Sequence, residues 1–173
     1  ITVLYYNPNI YPESEYRYRA EEQKRFISLL PVKHPISFVE GDYIPKEETR
    51  YPYKLILGDS DFRYSNVTNL GNLRIIGGNA YFDSSKVTDL GELQIIGRNA
   101  YFNYSNVTDL GELQKIGGDA YFNDSEITDL GDLQIIGRDA YFNYSNVTDL
   151  GDLQNIGEDA YFNYSYLTNL GKL

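Results

Sequence analysis

The chain has 173 residues, of which 42% are apolar and 23% charged, with a net charge of −10; that supplies a packed core and excludes a disordered polyelectrolyte. Residues 1–50 carry 7 basic and 8 acidic side chains, whereas residues 51–173 carry 8 and 17. The second part therefore repels phosphate backbones, which argues against DNA or RNA as its partner. The absence of cysteine excludes a disulfide framework, a thiolate metal site or a cysteine nucleophile in this chain, and no run reaches the roughly 18 apolar residues of a membrane helix.

The sequence opens at Ile1 directly in a strand-like run and stops at Leu173 inside a repeat, so it reads as a fragment of a longer protein. No signal-peptide pattern precedes that run. Ile1–Tyr6 predicts a strand and Asn7-Pro8-Asn9 a turn. Ser14 has the chemistry of a helix N-cap, and Tyr16, Ala20, Phe26, Ile27 and Leu30 come after it at roughly helical spacing until Pro31 stops the helix. Pro35–Val39 predicts a second strand ending at Glu40-Gly41-Asp42. Strand, helix and strand make a small βαβ unit, with a parallel pair and a right-handed crossover. His34, the one histidine, lies between Lys33 and Pro35 in what reads as a surface loop.

Within this segment Tyr6-Asn7-Pro8-Asn9-Ile10, Pro12, Glu15-Tyr16, Arg19, Glu22-Gln23 and Glu40-Gly41-Asp42-Tyr43 resemble the epoxyqueuosine reductase family QueH over residues 1–48. The resemblance implies an incomplete Rossmann-like unit. It also implies reduction of epoxyqueuosine in tRNA to queuosine, a cysteine-ligated 4Fe–4S cluster and a cytoplasmic setting. The matching positions are Tyr6, Asn7, Pro8, Asn9, Tyr16, Arg19, Glu22, Gln23 and Asp42. Both cysteine clusters expected of the family are missing: one would lie upstream of Ile1, and the other would come after Asp42, where Pro45–Glu48 lead directly into the second part of the chain. Such a cluster requires thiolates. The plainer reading of the segment is a cap that covers the apolar end of that second part.

From residue 51 the chain repeats every twenty residues. Phe62, Phe82, Phe102, Phe122, Phe142 and Phe162 keep that spacing, and so do Leu70 through Leu170, each followed by Gly. A fixed short period predicts a solenoid, each coil burying its apolar face against its neighbours. In one coil the recurring small or apolar positions are Ala80, Phe82, Ser85, Val87, Leu90, Leu93 and Ile96. Ala80-Tyr81-Phe82 alternates as a strand does, with Ala and Phe inward and Tyr outward. The three-residue spacing from Val87 to Ile96 predicts a tight helical or extended return rather than a second flat strand. Asp89 and Glu92, repeated at Asp109/Glu112, Asp129/Asp132 and Asp149/Asp152, have the form of a capping box, and Gly97 or Gly117 permits the turn into the next strand.

The repeat resembles the bacterial leucine-rich repeat, whose L-x-L-x-x-N-x-L pattern maps onto Ala80, Phe82, Ser85 and Val87; a receptor-L-domain-like β-helix stays open beside it. The expected fold class is mainly β: a right-handed parallel solenoid of about six coils over 51–173, behind a partial βαβ unit over 1–50.

The outward positions nominate a binding face. Tyr81, Tyr101, Tyr121, Tyr141 and Tyr161 form one column, with Asp83, Asn103, Asn123, Asn143 and Asn163 beside it and Tyr64, Ser84, Tyr104, Asp124, Tyr144 and Tyr164 nearby. Tyr and Asn are favoured on recognition surfaces because they give rigid contact area and adaptable hydrogen bonds. The same column also serves as a stabilising aromatic ladder. The sequons at Asn103 and Asn106 are a product of the repeat itself, and glycans on adjacent coils would collide. The acidic columns at 89–149 and 119–159 are caps or turn residues before they are calcium ligands, so no metal is expected. The residues support three readings: a non-enzymatic scaffold binding a protein or glycan, a tRNA epoxyqueuosine reductase fragment with a repeat extension, or a purely structural expansion. No DNA or membrane partner is expected. An open edge at the last coil predicts self-association.

Overall fold

The computed structural model describes residues 38–39, 55–63 and 65–173. The expected first strand, the helix from Ser14, all nine motif positions of the opening segment, His34 and Tyr64 lie outside the described residues. The described residues form a parallel β-solenoid with a repeat of 20 residues, mainly β, with no helix among them.

Each coil contributes two short strands separated by a glycine-containing bend. The first set comprises β2 (Leu55–Ile56), β4 (Ile75–Ile76), β6 (Ile95–Ile96), β8 (Lys115–Ile116), β10 (Ile135–Ile136) and β12 (Asn155–Ile156). The second comprises β3 (Ser60–Asp61), β5 (Ala80–Tyr81), β7 (Ala100–Tyr101), β9 (Ala120–Tyr121), β11 (Ala140–Tyr141) and β13 (Ala160–Tyr161). Every strand of these sets pairs in parallel with its equivalent one repeat away, Ile76 with Ile96 and Tyr81 with Tyr101, for example. β1 (Phe38–Val39) joins the first sheet by pairing with β2, so the sheet extends back into the opening segment. A third side is held by bridges such as Asp109 to Asp129 and by bonds such as Thr88 N to Thr68 O at 3.0 Å.

The core is the stack of recurring apolar positions. Ala80, Phe82, Val87, Leu93 and Ile96 are fully buried, with Leu90 nearly so, and the same pattern recurs through Leu153. Consecutive Phe rings from Phe62 to Phe162 lie 4.8–5.6 Å apart, within 20° of parallel. Each buried Phe, Leu or Ile contributes on the order of 1.5–3 kcal/mol. The parallel ladder allows no register slip, because a one-residue shift would turn the whole set outward.

Three local expectations are revised. The return path is not helical: it contains the second strand, β6 in the coil discussed, and the bridge at Asp89. The three-residue spacing arises because corners interrupt the strand alternation. Leu90 faces in, Gly91 turns at φ 58°, and Leu93 faces in again. The Asp89/Glu92 pair is likewise not a capping box. Asp89 Oδ1 accepts a hydrogen bond from Gly91 N at 2.8 Å, an Asx turn, while Glu92 N donates to Gly71 O of the preceding coil at 2.9 Å. A residue in the left-handed region two positions after the cap cannot continue into an α-helix. Gly97 is required for close approach rather than a left-handed turn: a Cβ there would stand 2.3 Å from Gly77 O.

Candidate binding face

The strand face places the five tyrosines in one column. Tyr81, Tyr101, Tyr121, Tyr141 and Tyr161 stack with ring centroids 4.7–4.8 Å apart and planes within 7° of parallel. The ring faces therefore cover one another, and ring edges and phenol oxygens remain for solvent. The spacing is that of the parallel strands, so the column is a direct result of one Tyr per coil at one register. The first four rings are half-buried and Tyr161 is 37% exposed.

One flank is a carboxylate and amide column two residues before each Tyr. Tyr141 Oη donates to Asp139 Oδ2 at 3.0 Å, Tyr161 Oη to Asp159 Oδ2 at 3.4 Å and Tyr121 Oη to Asp119 Oδ2 at 3.5 Å. In the coil before these, Asn99 Nδ2 donates to Tyr101 Oη at 3.3 Å. The carboxylates also accept backbone N–H groups from the next coil, as Asp139 Oδ1 does from Asp159 N at 2.9 Å. Burial and these anions raise the phenols of Tyr81, Tyr121, Tyr141 and Tyr161 above their ordinary value. The hydrogen bond to Asp139 pushes the Tyr141 phenol up to about 12. Burial, followed by the charge of Asp119, raises Tyr121, and burial followed by Asp59 raises Tyr81. The charge of Asp159 is the main cause for Tyr161.

The other flank is the Asn column, Asn103, Asn123, Asn143 and Asn163, beginning at Asp83. From Asn103 to Asn143 each side-chain oxygen accepts from both the backbone N–H and the amide of the next coil: Asn143 N and Nδ2 donate to Asn123 Oδ1, both at 3.0 Å. The amides nominated for recognition link the coils, and half of the ladder bonds close on backbone N–H groups that the strands leave unpaired. Asn106 of the second sequon is similarly engaged, donating to Ser85 O at 2.8 Å.

The structure brings the Tyr and Asn columns together on one face and holds both rigidly. It also shows features the residue pattern alone did not signal. Arg63 closes the first end of the Tyr column, its guanidinium carbon 4.9 Å from the Tyr81 centroid and its nitrogens bonded to Asp61 at 2.9 and 2.6 Å. Burial pushes the Asp61 carboxyl up, but the Arg63 hydrogen bonds and charge outweigh it and leave it lowered. The second missed feature is a turn column in the left-handed region, occupied by Ser84, Tyr104, Asp124, Tyr144 and Tyr164 at φ 51–55°. Glycine or asparagine would have signalled such a turn; tyrosine does not. Among the described residues no group of three or more His, Asp or Glu side chains is placed to hold a metal ion.

Similarity to known proteins falls on the opening segment. Residues 1–53 match the family described as Epoxyqueuosine reductase QueH. The Epoxyqueuosine reductase QueH of Streptococcus pyogenes serotype M1 is 40% identical over 52 residues, which is 29% of this chain and 20% of that protein. The chain thus spans about a fifth of the length of the curated relative it matches. No solved structure matches.

Proposed function

We propose that residues 55–173 are a non-enzymatic scaffold of leucine-rich type whose Tyr/Asn face binds a protein or glycan partner. The observation that carries this reading is the stacked Tyr81–Tyr161 column, with the phenols of Tyr121, Tyr141 and Tyr161 bonded to neighbouring carboxylates. Stacking removes rotamer freedom before any partner arrives, so little side-chain entropy remains to be lost on binding. The partner would meet ring edges, hydroxyls and carboxylates, since the ring faces are used within the column. The triple substitution Tyr101→Phe, Tyr121→Phe, Tyr141→Phe keeps the rings and removes the hydroxyls. Binding of the parent and the variant to arrayed glycans and peptides is compared at matched thermal stability. Loss of binding with the fold intact supports the scaffold; identical binding, or none by the parent chain, would leave the column a purely structural ladder.

A second reading is favoured by the match over residues 1–53 and the 40% identity to the streptococcal reductase: a tRNA epoxyqueuosine reductase, acting in queuosine biosynthesis, with a repeat extension. The residues present do not fit a 4Fe–4S cluster, because the chain has no cysteine and the cluster is held by thiolates. Any such cluster would need cysteines from outside this sequence. Iron and sulfide analysis after anaerobic reconstitution, on a chain extended through its native coding sequence, decides between the two. A stoichiometric cluster supports the reductase, and its absence leaves the scaffold.

A further inference from the structure

The turn after each strand of the second sheet holds its left-handed residue in register with those of the neighbouring coils. Tyr104 N donates to Asn123 O at 3.3 Å, Asp124 N to Asn143 O at 3.2 Å and Tyr144 N to Asn163 O at 3.0 Å. Where two tyrosines are adjacent in this column they stack: Tyr144 and Tyr164 lie 5.0 Å apart and 8° from parallel. Tyr104 has no such neighbour, because the next coil carries Asp124, and it stands 65% exposed. Two coil rises separate the turns of Tyr104 and Tyr144, about 9.6 Å at the usual strand spacing. Asp124 therefore leaves, between the turns of Tyr104 and Tyr144, the interval that a tyrosine ring would otherwise occupy. Its own side chain is exposed and makes no hydrogen bond or ion pair among the described residues.

A one-ring version of this arrangement occurs already filled, at the end of the strand column. Asp61 stands there at the position that the next coil gives to Tyr81. A guanidinium occupies the space over the Tyr81 ring, with Arg63 4.9 Å from the centroid and bidentate to Asp61. With the Tyr104 ring turned as the stacked Tyr144 and Tyr164 rings are, a cation centred between Tyr104 and Tyr144 would lie about 4.8 Å from each ring, inside the range of about 6 Å for cation–π attraction. The Asp124 carboxylate would stand at the same level to accept its N–H groups. A neutral planar group would leave the charge of that carboxylate uncompensated, and the net charge of −10 draws cations rather than anions to the surface.

We propose that the gap formed by Tyr104, Asp124 and Tyr144 is a slot for an arginine side chain of a protein partner. The slot lies in the turn column and does not depend on the strand-face tyrosines binding anything. Both informative variants use residues the repeat itself places there. Asp124→Tyr inserts the ring that the turns at 104 and 144 carry, and Tyr104→Ser inserts the serine of the turn at 84.

The test is a titration of the full 173-residue chain with N-acetyl-arginine amide, followed by NMR of labelled tyrosine rings. Tyr104 and Tyr144 are assigned from the spectra of their serine variants, and methyl glucoside is the neutral comparison. The expected result is a saturable shift of both rings with the arginine probe, lost in Asp124→Tyr and weakened roughly threefold in Tyr104→Ser. The proposal is overturned if the arginine probe gives no saturable shift, if the shift survives Asp124→Tyr, or if methyl glucoside shifts these rings and the arginine probe does not.

Discussion

Phe122→Ala tests whether the buried aromatic spine holds the coils together. Phe122 is fully buried between Phe102 at 5.6 Å and Phe142 at 4.9 Å. Returning its ring to solvent forfeits about 2–3 kcal/mol of transfer free energy. The ladders above and below keep the coils at strand spacing, so the site cannot close over the gap. A vacated volume of about 100 Å³ at about 24 cal/mol per Å³ adds about 2.4 kcal/mol. The expected loss is therefore about 4–5 kcal/mol. Phe162 has one ring neighbour and is only partly buried, so Phe162→Ala should lose about half as much. Urea titrations followed by far-UV circular dichroism measure both, with the m-value checked for loss of cooperative unfolding along the stack. A loss below about 1 kcal/mol at Phe122, or equal losses at the two positions, would refute a continuous spine as the source of stability.

The buried serines give a sharper contrast. Ser60 Oγ is fully buried with no hydrogen-bond partner at a position that every later coil fills with Ala, so Ser60→Ala should stabilise by about 1 kcal/mol. Ser125 Oγ donates to Phe122 O at 2.9 Å, so Ser125→Ala should cost about 1 kcal/mol, and thermal melts read both signs. Alkaline pH should loosen the coils. A phenol whose folded pKa is raised contributes stability that is present below its ordinary value near 10 and lost as pH climbs through the folded value. For Tyr141 that window runs from pH 10 to about 12. Denaturant titrations at about pH 9, 10.5 and 12 should show stability falling across the last two, and ultraviolet absorbance of the phenolate should show Asp139→Asn bringing one phenol back towards its ordinary value near 10. Gly97→Ala should cost more than about 2 kcal/mol, since the added methyl would meet Gly77 O at 2.3 Å of fixed backbone; a melt unchanged within about 0.5 kcal/mol would contradict that approach.

The spine and the outward tyrosines were legible because both rest on a period that needs no context. A Phe every twenty residues has one way to be buried, and Ala80-Tyr81-Phe82 alternates as any strand does. The corners were not legible in the same way. Leu90, Leu93 and Ile96 copy helical spacing, and only the backbone reveals that Gly91 at φ 58° resets the alternation. The Asp89/Glu92 pair shows the same ambiguity: an Asx turn and a capping box use the same first residue, and the conformation two positions on decides between them. The positive φ of Tyr104 and Tyr144 left no trace in the sequence, because tyrosine is disfavoured there and is held only by ladders on either side. That the Asn column links the coils was hidden for a different reason. Residue type indicates what Asn103 or Asn143 can bond, not that the next coil already does so.

Specific recognition on a near-uniform stack has to come from positions where the coils differ. The Tyr81–Tyr161 column is invariant along the axis, so a partner reading it alone could bind in several registers one coil apart. The turn column breaks that symmetry in the order Ser84, Tyr104, Asp124, Tyr144, Tyr164, and the outward position of the first sheet does so as Ile95, Lys115, Ile135, Asn155. One slip of a coil brings a partner group from Asp124 onto a tyrosine, exchanging a carboxylate for a ring and removing an opposite charge. The opening segment adds a fixed reference at the other end, since β1 pairs with β2 and marks which coil is first. Were the face to bind a partner, the invariant columns would supply rigidity and area, and the few irregular positions would set the register.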